Sequence, residues 1–306
     1  MIAILGGLGA AFLWAAANLA SSRSSRLIGA SSTLATMMLV GLLVTLPFVP
    51  FAGPLPPLTP ILAFWLAASG LGSVIGLFFV YRGLRIGKVG PVLAIASTEG
   101  AIAAVVAVIA GERLTVLVAL MLVVIAVGIA VVALATGDAP EATGETSAEP
   151  PTGAGAAAEA AAPRPRRSAE RQAALFGTAG AIAFGFSIYG TAQAGIALPI
   201  MIAILPARLA GVALVFIPMA LAGRLRMTRR AAPLVVITAL GEVLGNMAYV
   251  VGARESIAIA AVLACQYAAV GAVAAFFLFR ERLSPLQRSG VVAIAVGVAI
   301  LTAVRT

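Results

Sequence analysis

Residues 111–128, GERLTVLVALMLVVIAVG, and residues 280–297, RERLSPLQRSGVVAIAVG, are two copies of one pattern. A shift of 169 positions lays Glu112-Arg113-Leu114 on Glu281-Arg282-Leu283 and Ile125-Ala126-Val127-Gly128 on Ile294-Ala295-Val296-Gly297. Working outward, the same shift pairs Gly72 with Gly241, Gly76 with Gly245, Gly83 with Gly252 and Arg85 with Arg254. Nearer the start of each half a shift of 170 pairs Gly7 with Gly177, Ala11 with Ala181 and Trp14 with Phe184. The chain is a duplication.

What is duplicated is apolar. Of 306 residues, 62% are hydrophobic and 10% charged, and the mean hydropathy is +1.11. Soluble domains run near about 45–50% apolar and about 25% charged. The composition is that of an integral membrane protein. A spanning helix needs roughly 20 mostly apolar residues. Punctuation at Gly, Pro and Arg predicts spans near 2–20, 28–50, 61–81, 89–110 and 115–136, and again near 172–193, 197–222, 233–251, 257–279 and 285–304. The first run has no basic stretch before it and precedes nine more, so it reads as a helix of the mature protein and not as a signal peptide.

The fold class expected is therefore all-α, with ten transmembrane helices in two five-helix repeats at 1–136 and 172–306. Residues 137–171 between them, rich in Pro, Ala, Gly and Glu, hold no large apolar side chain and read as a disordered linker. Five is odd, so the second repeat enters the bilayer in the opposite sense to the first. Inverted repeats place a substrate site near the midplane between the halves, which rock to alternate access.

Several chemistries are excluded. There is no histidine, hence no imidazole base or ligand. The single cysteine, Cys265, lies in an apolar run and reads as packing. GLRIGK at 83–88 is one residue short of a phosphate-binding loop, with Val89 where Ser or Thr would hold magnesium, and the 7–12 stretch lacks the third glycine of a dinucleotide fingerprint. No cofactor or metal is expected. The net charge of +9 comes from 20 basic residues placed almost wholly between apolar runs, a pattern that orients helices and does not bind nucleic acid.

Ten spans as five plus five, an aromatic in the first helix of each half (Trp14, Phe184), and the closing GERL and RERL together resemble the EamA-type transporters of the drug/metabolite transporter superfamily. Ser97-Thr98-Glu99 is similar to a Glu-Pro in the fourth helix of many members, with Gly100 standing for the proline. The resemblance covers all but the linker. It implies a non-enzymatic carrier in the cytoplasmic or inner membrane that exports small metabolites such as amino acids, nucleosides or drugs, and it leaves the substrate open. The alternatives are a flippase for a lipid or lipid-linked carrier, and a nontransporting receptor or scaffold.

An ionisable side chain at bilayer centre costs roughly 2.5–3.5 kcal/mol on insertion scales, so it faces a cavity or a partner. Glu99, Glu242 and Arg208 fall near the middle of spans four, eight and seven. Glu242, Asn246 and Tyr249 share one helical stripe beside the Gly241/Gly245 stripe, which suits close packing. Glu242 either lines a cavity or pairs with Arg208 to hold the bundle. Glu99 has no basic residue in its span, and burial disfavours an unpaired carboxylate, so it is the better proton-site candidate, the alternative being a neutral acid hydrogen-bonded to a neighbouring helix. Trp14, Asn18, Phe184, Ser187, Tyr189, Gln266 and Tyr267 are candidate walls for an amphipathic solute, although any one aromatic could simply pack. The Glu112-Arg113 and Glu281-Arg282 pairs read as caps and neighbouring ion pairs in tight hairpins. Gly72/Gly76 and Gly241/Gly245 read as seams within a monomer, with a homodimer as the minor alternative.

Overall fold

The computed structural model describes residues 1–86, 92, 95–137, 167–267, 269, 270 and 285–305. Among the described residues the helices include α1 (Ile2–Ile28), α2 (Ala30–Thr45), α3 (Pro60–Ile86), α4 (Glu99–Ile109), α5 (Val116–Gly137), α6 (Arg167–Ala197), α7 (Ile200–Gly211), α8 (Ala232–Ala253), α9 (Ile257–Ala264) and α10 (Pro285–Arg305). Among the described residues there is no strand. Among the described residues, six helical stretches are long and apolar enough to cross a membrane: Ile2–Ile28, Ala30–Phe51, Pro60–Val80, Ala169–Ala197, Ile200–Leu221 and Ala232–Ala253.

Backbone chemistry sets the ends. α1 stops at Gly29, whose φ of 85° no β-carbon-bearing residue adopts cheaply. α2 tightens into a 3-10 turn, Leu46–Phe51, where Pro47 and Pro50 supply no N–H. α7 carries Pro206 and passes through a π turn, Val212–Phe216, into Ile217–Leu221.

Packing runs between the halves. α1 lies along α8, α3 along α6 and α5 along α10, while α4 crosses α9. Each seam is made by glycine. A β-carbon on Gly76 of α3 would stand 2.8 Å from the Phe184 ring, and one on Gly245 of α8 would meet the Trp14 indole at 2.5 Å. Gly128 faces Ile294 while Gly297 faces Ile125, and Gly41 faces Arg208 while Gly211 faces Met38. These contacts exchange with one another under the shifts of 169 and 170 that align the two sequences. The glycine stripes therefore close the bundle on itself, as seams within one chain. α9, made of Ile, Ala, Val and Leu and buried along its whole length, sits at the centre.

The structure corrects several expected boundaries. α1 runs to Ile28, so Arg23 and Arg26 lie in its last turns. α6 starts at Arg167, taking in the end of the expected linker, because Ser-Ala-Glu-Arg-Gln is good helix-forming sequence with Glu170 in the favourable first turn. The fourth and ninth spans, expected as unbroken helices, are interrupted by turns at Ser97-Thr98 and Cys265-Gln266. Residues 138–166 of the linker, 271–284 with the Glu281-Arg282 pair, and Lys88 lie outside the described residues.

Candidate functional site

The two interruptions face each other. α4 begins at Glu99, just after its turn, and its next residue, Gly100, crosses α9 so closely that a β-carbon would stand 2.6 Å from both the Ala261 carbonyl oxygen and Cys265 Sγ. Glycine at 100 is what lets the broken helices of the two halves touch. A broken helix exposes backbone groups inside a membrane and is tolerated only where protein or a cavity covers it.

Glu99 is buried at this crossing. Its Oε1 accepts from Tyr267 Oη at 3.3 Å and from Cys265 Sγ at 3.8 Å, both from the second half. The Tyr267 ring meets Trp14 edge to face, with centroids 6.1 Å apart, and Trp14 in turn lies 6.2 Å from Tyr249. Trp14 Nε1 and Gln266 Nε2 are buried donors with no hydrogen-bond partner among the described residues. Such orphans are uncommon in proteins and mark either strain or a group that another molecule satisfies.

The second cluster is an ion pair. Arg208 Nη2 donates to Glu242 Oε2 at 3.1 Å, and Asn246 Nδ2 donates to the same oxygen at 3.1 Å and to the Glu242 carbonyl at 2.8 Å. The arginine side chain is 3% exposed and the glutamate 30%. Arg208 Nη1 also points at Met38 Sδ, 3.6 Å away. Of the two readings of Glu242, pairing with Arg208 is therefore present, and its carboxylate stays partly open to the surroundings.

The remaining candidates divide. Tyr249 is fully buried and donates to the Ile188 carbonyl at 3.1 Å, so it packs instead of sharing the open face of Glu242 and Asn246. Asn18, one turn from Trp14, is exposed. Tyr189 is buried against Trp65, centroids 4.9 Å apart, and accepts from Gln193 Nε2 at 2.6 Å. Ser187 belongs to a polar seam that sequence reading did not single out. Its Oγ donates to the Ser69 carbonyl at 2.7 Å and lies 2.7 Å from Ser73 Oγ, while Ser69 Oγ lies 2.6 Å from Thr191 Oγ1. The signal was available as Ser or Thr at i and i+4 on both α3 and α6. A cavity of about 470 Å³ lies elsewhere, at the start of α6 beside Arg171, Leu175 and Thr178.

Glu112 also departs from expectation. It caps a helix, but in the other half: its carboxylate accepts from Ser256 Oγ and, at 3.2 Å, from the Ala258 N–H at the start of α9. The hairpin assumption failed because the positive end of α9 is nearer than any local cation. At the same end of the bundle the Met1 ammonium, 2.9 Å away, and the Ala3 N–H hold the Glu255 carboxyl below the usual carboxylate range. Arg254 there donates to the Gly195 and Leu198 carbonyls at the end of α6.

Residues 1–134 match the family model of the EamA-like transporter family, so the resemblance read from the motifs holds for the first half of the chain. The match takes in 134 of the 306 residues and likens that part of the chain to a family of transporters. One solved crystal structure of a protein superposes with a TM-score of 0.71 at 17% identity, covering 99% of this chain and 96% of that one, a likeness of fold alone. No curated protein matches the chain.

Proposed function

We propose that the protein is a secondary carrier of ten spans, built as two inverted five-helix repeats, which exports a small organic solute by alternating access through the junction of the two broken helices. The observation that carries this reading is the Glu99 cluster. A buried carboxylate from one half is held by hydroxyl and thiol groups of the other, with the unpartnered donors of Trp14 and Gln266 close by. A solute bearing a carbonyl or hydroxyl acceptor and an apolar body would satisfy those donors and lie against the Trp14 and Tyr267 rings. The halves meet at a group whose protonation changes its bonds to Tyr267 and Cys265. Proton binding at Glu99 is thus a means of coupling transport to a pH gradient. The half-exposed Glu242–Asn246 face would form the approach to it, with Arg208 fixing the carboxylate.

The test is efflux from proteoliposomes of the purified protein across a panel of amino acids, nucleosides and amphipathic drugs, with and without a pH gradient. Saturable movement of one class, lost when Trp14→Ala and Gln266→Ala are combined in a folded variant, is expected. Movement of a lipid probe between leaflets, with no soluble substrate, would favour a flippase instead.

A further inference from the structure

The end of the bundle opposite Met1 carries a patch of arginine assembled from two distant parts of the chain. Arg23 and Arg26 occupy the last turns of α1, and Arg224, Arg226, Arg229 and Arg230 lie in the connection between α7 and α8; all six are exposed. The fold joins the two sets. The Arg226 N–H donates to Ser32 Oγ at the start of α2, at 3.2 Å. Ile28, at the end of α1, packs with Ala231, which directly follows Arg230, and with Val235 in the first turn of α8. Residues 21–36 and 221–241 contain no Asp or Glu, so these segments bring no countercharge of their own. Leu27, Leu221 and Met227 are exposed in the same segments, at 46%, 84% and 49%.

Two spans end and two begin here, Ile2–Ile28 and Ala30–Phe51 on one side, Ile200–Leu221 and Ala232–Ala253 on the other. The patch therefore lies at the level of lipid headgroups. Planar guanidinium groups take phosphate oxygens two at a time, and basic clusters beside a span attract anionic lipid. A topology signal needs only a charge count within each connection. It does not need two connections, some 200 residues apart, docked through Ser32 and Ile28 into one surface with apolar side chains beside the charge.

We propose that this face binds the phosphate groups of anionic phospholipid in the leaflet it meets. The apolar neighbours Leu27, Leu221 and Met227 lie along the acyl chains. The occupant is a lipid and not free phosphate, because those exposed apolar side chains gain nothing from a soluble anion.

The experiment uses the delipidated full-length protein with equal amounts of phosphatidylglycerol and phosphatidylcholine, and native mass spectrometry counts the lipids retained. Wild type should retain phosphatidylglycerol preferentially. The combined variant Arg224→Gln, Arg226→Gln, Arg229→Gln, Arg230→Gln should lose that preference by about tenfold or more. The matching four-lysine variant should keep most of it, and Arg113→Gln, at the other end, should leave it unchanged. For the wild type itself, raising NaCl from about 0.1 to 0.5 M should weaken the preference by screening, which tests the idea even if the Gln variant misfolds. Equal retention of both lipids by wild type, an unaltered preference in the folded Gln variant, an equal loss in Arg113→Gln, or displacement of the lipid by 10 mM inorganic phosphate would each overturn the proposal.

Discussion

At the residue scale the two acids are held differently, and they should answer mutation differently. Glu99 takes its bonds from neutral groups, so Glu99→Gln keeps the shape and replaces a titratable acceptor with a neutral amide. PH-gradient-driven transport should disappear while gradient-free exchange of substrate persists. If Glu99→Gln and Glu242→Gln both retain full gradient-driven transport, the coupling idea fails and a facilitated carrier takes its place. Glu242 instead neutralises Arg208, and the pair is lopsided: the arginine is 3% exposed, the glutamate 30%. Removing the glutamate strands a buried cation, at a cost of about 3 kcal/mol or more. Removing the arginine leaves a carboxylate that can still draw water. Glu242→Gln should therefore lower the unfolding midpoint in detergent more than Arg208→Gln, and joining Arg208→Met to Glu242→Gln should recover part of the loss. Equal effects of the two single changes would show that the pair is not buried as described.

At the element scale, seams and caps couple the halves. A side chain at Gly245 would collide with the Trp14 indole. Gly245→Val should cost about 1–3 kcal/mol by overpacking, and Trp14→Ala should relieve part of it in a double-mutant cycle of thermal midpoints. Glu112→Ala removes the carboxylate that caps α9 from across the bundle, a loss of about 1–2 kcal/mol. Glu112→Gln should lose less, because an amide oxygen still accepts from Ser256 and Ala258. The repeat and the glycine stripes were legible in the sequence, since glycine spaced along an apolar helix has few uses besides close packing. The breaks at Ser97-Thr98 and Cys265-Gln266 were not, because neither has the proline or flanking glycine pair that usually marks a stop. They follow from the crossing at Gly100 and Ala261, a tertiary event that no local window contains. For the same reason Glu112 was read against its own hairpin, although its partner lies 144 residues away. The Arg208–Glu242 pair could be foreseen because two opposite charges on sequence-adjacent apolar spans have few other partners. The Glu99–Tyr267 contact spans 168 residues and could not.

For the whole molecule, the remaining asymmetry is charge. One end of the bundle gathers Met1, Glu112, Glu255 and Ser256, which hydrogen-bond among themselves and to the starts of α1 and α9. The other end carries Arg23, Arg26 and the arginines of the α7–α8 connection. In the sequence, the connections expected after spans one, three, five, seven and nine, which also hold Arg82, Arg85, Lys88, the Arg164, Arg166, Arg167 and Arg171 group and Arg280, Arg282 and Arg288, carry sixteen of the 20 basic residues. Arg113, Arg254 and Arg305 fall at the end with Met1, and Arg208 lies inside the bundle. Excess Lys and Arg mark cytoplasmic connections, so both termini should face away from the cytoplasm and the 137–171 segment into it. Cytoplasmic termini are what resemblance to the family would imply, but the bias recurs in every basic connection of this chain, and local charge, not ancestry, orients a helix during insertion. A reporter active only in the cytoplasm, fused after Thr306 and separately inserted within 137–171, decides between them. Activity is expected from the insertion and silence from the fusion. Activity at Thr306 with silence from the insertion would reverse the assignment, and would move the arginine face, with the lipid it is proposed to bind, to the outer leaflet.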